Sequence, residues 1–481
     1  MSRLFPLLFL CLNALPKLVS QSLQQKVDRF ADGYALRQGN VSICVIDIAE
    51  NQVVADHRAE RVAVPASALK LITTGTALSL FGPDFRFPTE LQYDGTLAGG
   101  RLNGNLWIRG FGDPTLGSSE FDDTPDGEVL LREWVSALRQ KGLEAITGAV
   151  IGDGSHYDSQ GAVRSWQWAD LGNYYGAGAR GLNWRENTYT LYFSRTGRVG
   201  DQTRIARIDP DIPWLEFVNE VKQAGARTGD QAYIFGGPYA DKRYVRGTIP
   251  AGSGLFDIDG SIPDPPYFLA YQLTEALRGA GLVVEKPAST DQQTPITGQR
   301  RTLLRHRSPP LATIVERTNY RSVNLYAEAL LKEIGQQRGD EGSTEEGADA
   351  LLAYWADRGV STEGIQIADG SGLSSRNAVS ARFMAEVLRK ISLDDKVNET
   401  FRSSIPLAGR TGSLRGKFRG SVAEGNLYAK SGTLGGVRSY AGYFTGANGR
   451  AYAFAVLVNN YNSSGGSMRL QLDRLLQSFC E

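Results

Sequence analysis

The sequence has few of the side chains that most often bind metals. It contains three cysteines and three histidines among 481 residues. His57, His156 and His306 stand in no H-E-x-x-H or other recognisable ligand spacing, so we expect no histidine-based metal site. So few cysteines also exclude a disulfide-dense scaffold and a cysteine-based metal site.

Net charge is absent as well, because 52 lysines and arginines balance 52 aspartates and glutamates. A protein that binds nucleic acid usually carries a strongly basic face, so this balance argues against nucleic acid as a partner. No later segment is long and apolar enough to span a membrane. At the N-terminus the apolar run Leu4–Leu15 is too short to span one, follows Arg3 and precedes the small residues Ser20 and Ser22.

This N-terminal pattern predicts a secretory signal peptide over residues 1–22. We therefore expect the mature chain to be exported, in the periplasm or otherwise outside the membrane, free or loosely attached to it. An uncleaved amphipathic or anchoring N-terminus is the alternative.

The length suits two or three domains, and the pattern along the chain indicates their arrangement. Apolar β-branched residues predict a buried strand over 41–48, and helical spacing runs from Ser67 to Gly82. Short strands alternate with turns over about 85–165, whereas residues 187–255 have a glycine- and charge-rich texture of their own. Because strands and an amphipathic helix also close the chain, we predict one discontinuous α+β domain with a large insertion.

The tetrad Ser67-Ala68-Leu69-Lys70 has the pattern S-x-x-K at the start of the predicted helix. A spacing of three places Ser67 and Lys70 on one helical face. A serine hydroxyl becomes a good nucleophile when a base takes its proton, and a lysine whose pKa is lowered by burial can be that base. Such tetrads also arise by chance, as a capping serine followed by a solvated lysine, so this motif alone decides nothing.

Two further motifs change the interpretation. Ser322-Val323-Asn324 lies between predicted helices, and Lys430-Ser431-Gly432-Thr433 lies on a predicted strand near the C-terminus. The three motifs stand in the order S-x-x-K, S-x-N, K-[ST]-G, each with matching local structure. This ordered set is far more specific than any one of its members.

With these motifs the chain resembles the penicillin-recognising serine acyltransferases. Within them it is similar to the D-alanyl-D-alanine carboxypeptidases and endopeptidases of the penicillin-binding protein 4 type, the class C low-molecular-mass group of peptidase family S13. Further stretches match that group, including GDPTL at 112–116, WQWADLGNYYGAGARGLNWRENTY at 166–189 and ADGSGLSSRN at 368–377. The long stretch between the first two motifs also fits it.

The resemblance implies the penicillin-binding and β-lactamase-like fold: an antiparallel sheet flanked by helices, a helical subdomain, and two nested inserted domains. On this basis residues 23–85 and 290–481 form the peptidase domain, residues 86–186 and 256–289 the second domain, and residues 187–255 the third. It also implies that neither a metal nor an organic cofactor is needed.

The same resemblance implies roles for the motif residues. Ser67 would attack the carbonyl of the penultimate D-alanine and form an acyl-enzyme, with Lys70 accepting its proton. Ser322 and Lys430 would relay a proton to the leaving amine, and Asn324 would bind the substrate amide or orient Lys70. The expected partners are the D-Ala-D-Ala ends of peptidoglycan stem peptides, and β-lactams, which would trap the serine as a slowly hydrolysed ester.

The strand motif would bind the substrate. The backbone N–H groups of Ser67 and Thr433 would form an oxyanion hole. The hydroxyls of Ser431 and Thr433, with Lys430, would hold the terminal carboxylate, and Gly432 belongs to the same binding strand. Ser431 stands where the family often has threonine, and since the hydroxyl is kept we expect activity to be kept.

Asp170, in the WQWAD stretch, matches an acidic residue of the inserted domain that faces the side-chain amino group of the stem diamino acid. The resemblance therefore implies a preference for meso-diaminopimelate stems, and an ordinary turn aspartate is the alternative. Asp113 and Asp369 are interpreted as turn formers rather than catalytic groups.

Removal of the signal peptide leaves Cys44, on the first predicted strand, and Cys480, at the end of the last helix. The implied fold brings the terminal helices and the first strand together, so a disulfide is one expectation. A buried free thiol at Cys44 is the other.

Two other functions stay open. A serine β-lactamase shares the fold and the first motif, but no glutamate-containing loop of the class A kind is evident. Its class C relatives would begin the second motif with tyrosine, where this chain has Ser322 and carries Tyr320 two residues early. A non-catalytic binding or scaffold protein would not need the full set of nucleophilic groups. A Ser-His-Asp hydrolase is disfavoured because no G-x-S-x-G motif occurs.

Overall fold

The structure is a computed structural model that describes residues 21–481 apart from residues 297 and 340. The predicted signal peptide therefore lies almost wholly outside the described residues. Within the described part of the chain, no helix has the length and apolar character needed to cross a membrane. The same residues contain no cluster of histidine, cysteine, aspartate and glutamate that could hold a metal ion.

A five-stranded antiparallel sheet brings the two ends of the chain together. In spatial order its strands are Gln52–His57, Asn40–Asp47, Ala451–Asn459, Val437–Thr445 and Leu427–Leu434. The last of these, hereafter the edge strand, carries the K-S-G-T motif. On its outer side the first part of this strand is bonded to a loop, since the Ala429 N–H donates to the Pro406 carbonyl and the Leu427 carbonyl accepts from Ala408, both at 2.9 Å. Among the described residues no strand pairs with the outer side of the part that carries the motif, so that part is open to another chain segment.

Helices cover both faces of this sheet. The terminal helices Leu23–Ala31 and Gly465–Phe479 pack on one face, and Ala381–Ser392 packs on the other. Cys44 lies in the core under Ala381–Ser392, whereas Cys480 lies in the core of the terminal helices. Both are free buried thiols on opposite faces of the sheet, so the structure has the free thiol rather than the disulfide.

Ala381–Ser392 also belongs to a helical part, whose helices pack into the same core. Its other helices are Lys70–Phe81 (the nucleophile helix), Leu311–Arg321, Asn324–Arg338 (the S-x-N helix), Thr344–Ala356 and Asn398–Ser403. A short ladder joins Val62–Ala63 to Val379–Ser380. The nucleophile helix, KLITTGTALSLF, is buried along most of its length because its residues are small or apolar on nearly every side. It ends at Gly82, whose φ of 79° suits a glycine at the end of a helix.

The region between the nucleophile helix and Leu311–Arg321 forms further sheets. One has the strand order Ser289–Thr290, Val150–Asp153, Leu106–Gly110, Pro88–Tyr93, Arg301–Arg307. A second has the order Val283–Val284, Ala145–Ile146, Arg101–Asn103, Thr96–Ala98. The helices Gly127–Gln140, Trp168–Leu171 and Pro265–Gly279 belong to the same region.

The glycine- and charge-rich stretch at about residues 187–255 forms most of two smaller sheets. One has the order Arg204–Asp209, Thr188–Ser194, Leu255–Ser261. In the other, Lys242–Pro250 pairs with Glu216–Asn219, Lys222–Ala224 and Gln231–Phe235. This β-rich character follows from alternating runs such as TYTLYFS, whose burial alternates residue by residue.

Two strands pair across the predicted domain limits. Arg301–Arg307, inside the range predicted for the peptidase domain, pairs with Pro88–Tyr93. Leu255–Ser261, mostly within the range predicted for the second domain, pairs with Thr188–Ser194. Changes in composition mark a limit only roughly, because they do not reveal which distant strand is the partner. The division into domains stays a prediction; below, residues 88–307 are called the inserted part and the remaining described residues the peptidase part.

Candidate active site

The first motif begins at a distorted turn. Ala66–Leu69 forms a single 3₁₀ turn, and the α-helix starts at Lys70. Ala66 has a φ of 45°, a strained value for a residue with a side chain. Ser67 is partly exposed in this turn, and Lys70 Nζ lies 3.1 Å from its Oγ. The turn therefore presents the serine to solvent while its lysine stays inside.

Lys70 is fully buried and has three oxygen partners. Its Nζ donates to Asn324 Oδ1 at 2.6 Å and to the Ser371 carbonyl at 2.7 Å, in addition to Ser67 Oγ. Burial lowers the pKa of Lys70 to about 8, against the opposing charges of Asp369 and Glu328. When the amine is neutral, two N–H groups can keep the Asn324 and Ser371 bonds while its lone pair accepts the Ser67 proton. The arrangement suits a general base.

The second motif faces both lysines. Asn324 begins the S-x-N helix, and its Nδ2 donates to the backbone carbonyl of Tyr175 at 2.7 Å. Ser322 ends the preceding helix with a left-handed φ of 61°, and its Oγ accepts from Lys430 Nζ at 2.9 Å. Burial, with the nearby charge of Lys70, holds the pKa of Lys430 well below its usual range. A short proton path thus runs between Ser322 and Lys430.

The third motif lies against the nucleophile because it contains a glycine. A Cβ atom at Gly432 would stand 2.6 Å from the Pro65 carbonyl and 2.9 Å from the Ser67 backbone nitrogen. The neighbouring strand fixes the same segment, since Ser439 Oγ donates to the Pro65 carbonyl. Any side chain at position 432 would push the edge strand away from Ser67.

One cavity of about 980 Å³ contains most of the predicted site residues. Its lining includes Ser67, Ser322, Asn324, Lys430, Ser431, Thr433 and Asp170. Lys70 lies buried beside Ser67, and Gly432 lies against the serine backbone. The structure therefore brings together all nine residues that the sequence singled out.

Asp170 lies in the inserted part, on the short helix Trp168–Leu171, and is partly exposed at the cavity. Burial raises the pKa of its carboxyl, and a hydrogen bond with the Tyr175 side chain opposes that shift. The same residue, Tyr175, gives its backbone carbonyl to Asn324. An acidic group thus shares a wall of the cavity with the nucleophile.

The two aspartates interpreted as turn formers do bind backbone N–H groups. Asp369 accepts from Gly372 at 2.8 Å and from Ser374 at 2.5 Å, and Trp166 of the inserted part donates its Nε1 to it at 2.8 Å. Asp113 accepts from the Thr115 backbone at 2.8 Å. Neither aspartate lines the cavity.

Sequence reasoning missed three groups that bind Lys70, Asn324 or the loop beside them. These are the Ser371 carbonyl, the Tyr175 carbonyl and the buried Glu328 carboxyl. Backbone carbonyls leave no signature in a sequence. Glu328 did leave one, because it stands four residues after Asn324 and so lies on the same helical face.

Comparison with known proteins supplies the family. The sequence profile of the D-Ala-D-Ala carboxypeptidase 3 (S13) family matches residues 23–479. The chain belongs to this family. The chain is similar to a D-alanyl-D-alanine carboxypeptidase of an Actinomadura species, 26% identical over 460 residues, which cover 93% of this chain and 83% of that protein. The D-alanyl-D-alanine carboxypeptidase DacB of Haemophilus influenzae is 26% identical over 433 residues, covering 88% and 86%.

Structural comparison agrees for the fold. The crystal structure of penicillin binding protein 4 (dacB) from Haemophilus influenzae matches with a TM-score of 0.78 at 24% identity, covering 94% of this chain and 97% of that one. The predicted S13 family and the α+β penicillin-binding fold are thereby confirmed. The predicted enzyme class, a serine-type D-Ala-D-Ala carboxypeptidase, is confirmed by the family.

Proposed function

We propose that this S13 enzyme removes the terminal D-alanine from peptidoglycan stem peptides through an acyl-enzyme on Ser67. The observation that carries the proposal is the contact between the buried amine of Lys70 and the partly exposed hydroxyl of Ser67, which lines a large cavity. Lys70 Nζ lies 3.1 Å from Ser67 Oγ, and burial brings the pKa of Lys70 to about 8, so a useful fraction is neutral near pH 7.

The reaction follows from this contact. Neutral Lys70 accepts the Ser67 proton while Oγ bonds to the carbonyl carbon of the penultimate D-alanine. Collapse of the tetrahedral intermediate breaks the C–N bond, and the leaving amine of the terminal D-alanine takes a proton by way of Ser322 and Lys430, which are 2.9 Å apart. Water then adds to the ester carbonyl and gives a proton to the Ser322–Lys430 pair, and Ser67 Oγ leaves with the proton that Lys70 had accepted. This step releases the shortened peptide with a new carboxyl group and restores the serine.

The edge strand supplies the groups for the negative charges of the substrate. With Gly432 in contact with the nucleophile turn, the backbone N–H groups of Ser67 and Thr433 are suited to an oxyanion hole. The hydroxyls of Ser431 and Thr433, with Lys430, are suited to the terminal carboxylate. A peptide laid along this open edge would gain backbone hydrogen bonds as an added strand.

A β-lactam would acylate Ser67 by the same attack, but its ring-opened product would stay attached. Fast release needs a base aimed at the ester, and no carboxylate among the described residues contacts Ser67. Three of the carboxylates that line the cavity have other partners: Glu120 pairs with Arg321 at 3.0 Å, Glu186 accepts from Tyr326 at 2.8 Å, and Asp259 accepts from Thr190 at 2.7 Å. The fourth, Asp170, is proposed below to bind the substrate. We therefore propose slow deacylation, which distinguishes this enzyme from a β-lactamase.

Labelling with fluorescent penicillin tests the chemistry. Purified mature protein and the Ser67→Ala variant are incubated with the label and their intact masses are measured. We expect one penicilloyl adduct per wild-type chain, slow to decay, and none on the variant. An adduct that decays within seconds would indicate a β-lactamase. No adduct on a folded wild-type chain would favour a binding or scaffold role.

Asp170 is proposed to select the stem. Its carboxylate, in the cavity that holds Ser67, would bind the side-chain ammonium of the diamino acid at the third position. Lysine also carries an ammonium, so the preference for meso-diaminopimelate that the family resemblance implies would need further contacts in the same cavity. Asp170→Asn keeps the shape and removes the charge. We expect it to lower kcat/KM on diaminopimelate pentapeptide by about tenfold or more. On a stem whose side-chain amine is acetylated, kcat/KM should be the same for the variant and wild type. Equal rates on diaminopimelate and lysine stems, unchanged by the substitution, would contradict the proposal.

The same site would cut cross-linked peptides, because a D-Ala–diaminopimelate bridge presents the same D-alanyl carbonyl with a different leaving amine. We propose this endopeptidase activity together with export of the mature chain to the compartment that contains peptidoglycan. Release of monomers from purified cross-linked dimers by wild type and not by Ser67→Ala is the expected result.

A further inference from the structure

Glu328 is a buried carboxyl behind the active site that no step above uses. It lies on the S-x-N helix four residues after Asn324, and 1% of its surface is exposed. Its two oxygens accept backbone N–H groups, Oε2 from Gly370 at 3.0 Å and Oε1 from Ser371 at 2.8 Å. A carboxylate is seldom buried without a specific partner, because removing it from water is costly. Here both partners are amides of one short loop.

That loop reaches Lys70 directly. The carbonyl of Ser371, the residue whose N–H binds Glu328, accepts from Lys70 Nζ at 2.7 Å. From the other side, Thr73 Oγ1 of the nucleophile helix donates to the Gly370 carbonyl at 2.7 Å. A single peptide segment thus connects the carboxyl of one helix with the amine of another.

The loop is also held by close packing. A Cβ at Gly370 would stand 2.6 Å from the Ala327 carbonyl of the S-x-N helix. Gly372 has a φ of 81°, and a Cβ there would collide with the Ala66 carbonyl of the nucleophile turn. The loop therefore fills the gap between the two helices, and Glu328 supplies the hydrogen bonds that orient its amides.

We infer that Glu328 is a positioning residue for the base: by binding the Gly370 and Ser371 N–H groups it aims the Ser371 carbonyl at Lys70 Nζ and so holds the amine against Ser67 Oγ. The inference rests on the proposed role of Lys70 as the base that accepts the Ser67 proton. It adds a residue that acts through the backbone and touches neither the substrate nor the serine.

The charge of Glu328 gives this role a measurable signature. Lys70 faces Glu328 and Asp369, which both raise its pKa against the effect of burial, and it faces Lys430 on the edge strand. Glu328 in turn faces Asp369 and, one helical turn further on, Lys332. Burial and the charge of Asp369 raise the pKa of Glu328 to about 7, so its carboxyl is mainly negative above that pH. Removal of this charge therefore lowers the pKa of Lys70 in the range where Lys70 itself titrates. The pH at which the base becomes neutral should fall, while the misaligned amine should lower the maximal rate.

Glu328→Gln tests the inference, with Glu333→Gln as the matched control. Glu333 is equally buried on the same helix, but its carboxylate accepts from Tyr157 at 3.0 Å and His156 at 3.1 Å instead of the loop. For each variant, thermal unfolding, the rate of acylation by fluorescent penicillin, and kcat and KM for D-alanine release are measured from pH 6 to pH 10.

We expect Glu328→Gln to lower kcat and the acylation rate by about 10- to 100-fold, because small misplacements of a reacting group have effects of this size. KM should change less than about twofold, because the residue does not touch the substrate. The rise of kcat with pH should move to lower pH. Glu333→Gln should keep the wild-type kcat and pH profile whatever it costs in stability.

Equal kcat values and pH profiles for the two glutamine variants would overturn the inference. If Glu328→Gln does not fold, Glu328→Asp carries the test, because it keeps the charge and shortens the reach. A reduced kcat with an unshifted pH profile would then support positioning, and a wild-type kcat would overturn it. Failure of the proposed function looks different, since Ser67→Ala would then still be acylated or wild type would not be.

Discussion

The peptidase part and the inserted part meet at the cavity and contribute different kinds of groups. The peptidase part supplies the proposed reacting and binding side chains of the three motifs. The inserted part supplies groups that hold them: the Tyr175 carbonyl binds Asn324, and the Trp166 indole binds Asp369. The predicted site residue that the inserted part contributes to the cavity is Asp170, which is proposed to bind the substrate at a distance from the scissile bond.

This difference shows how a large insertion can be part of an active site without taking part in its chemistry. The S-x-N helix is one contact surface between the two parts: besides Asn324, its Lys332 forms an ion pair with Asp158 at 2.6 Å, and its Glu333 binds Tyr157 and His156. All three helix positions are buried or at the cavity. Changes at the contacts between the two parts should therefore affect stability and alignment, and changes in the motif residues of the peptidase part should affect the reaction.

The largest expected effect tests the first half of that statement. Lys332→Met leaves the Asp158 carboxylate in a buried position without its ion-pair partner, and we expect a loss of about 3–5 kcal/mol in the free energy of unfolding. Chemical denaturation measures it. The double variant Lys332→Met with Asp158→Asn should regain part of the loss, and a single variant as stable as wild type would contradict the assignment.

The next effect tests the second half. Gly432→Ala should push the edge strand from Ser67 and lower the acylation rate by about 10²–10³-fold, the size expected when an oxyanion-hole donor is lost. Gly435→Ala is the control, because a Cβ there meets nothing within 4 Å and its φ is not in the left-handed region. Stopped-flow labelling with fluorescent penicillin compares the two. Equal rates would mean that the strand does not need to lie against the serine.

A smaller effect is expected for the contact between Trp166 of the inserted part and Asp369, whose charge acts on Lys70. Trp166→Phe removes the indole N–H that binds Asp369, a hydrogen bond to a charged group that contributes about 1.5–3 kcal/mol to stability. Asp369 keeps its other donors, among them the Asn377 side chain at 2.7 Å, so the acylation rate should fall less than about tenfold. Thermal unfolding and labelling on the same samples measure both. A loss of activity as large as that of Gly432→Ala would remove the distinction between holding and reacting groups.

The smallest effect, no shift at all, is expected for the pH profile of acylation when the contact between the two parts is changed. Burial lowers the pKa of Lys70 to about 8, so the protonated, inactive form predominates below pH 8 and the neutral base above it. The acylation rate should rise about tenfold per pH unit up to pH 8 and then level off. Because this base belongs to the peptidase part, the Lys332→Met, Asp158→Asn variant should keep the same profile. A rate independent of pH between 6 and 9 would show that Lys70 is not the base.

The three motifs could be predicted because each is short and bears its chemistry in side chains. Lys430 to Thr433 lie on a strand, as the pattern indicated, and Ser67 lies one turn before the helix that begins at Lys70. The order of the motifs then identified the fold. The domain limits were harder, because the pairing of Arg301–Arg307 with Pro88–Tyr93 joins segments some two hundred residues apart, and nothing local records it.

The supporting groups could not be read from the sequence for a different reason. The carbonyls of Tyr175 and Ser371 bind Asn324 and Lys70 through atoms that every residue has. Only the fold decides which of them arrive at the site. The missing disulfide has a similar origin, since Cys44 and Cys480 are close in the topology and yet belong to cores on opposite faces of one sheet.

The most direct measurement links acylation to peptide cleavage in one sample. D-alanine released from a diaminopimelate pentapeptide is quantified while the enzyme is titrated with penicillin, and the modified residue is located by peptide mass mapping. We predict that release falls in proportion to the adduct, reaches zero at one penicilloyl group per chain, and that the group is on Ser67. Release that continues after full acylation, or an adduct on another residue, would contradict the account.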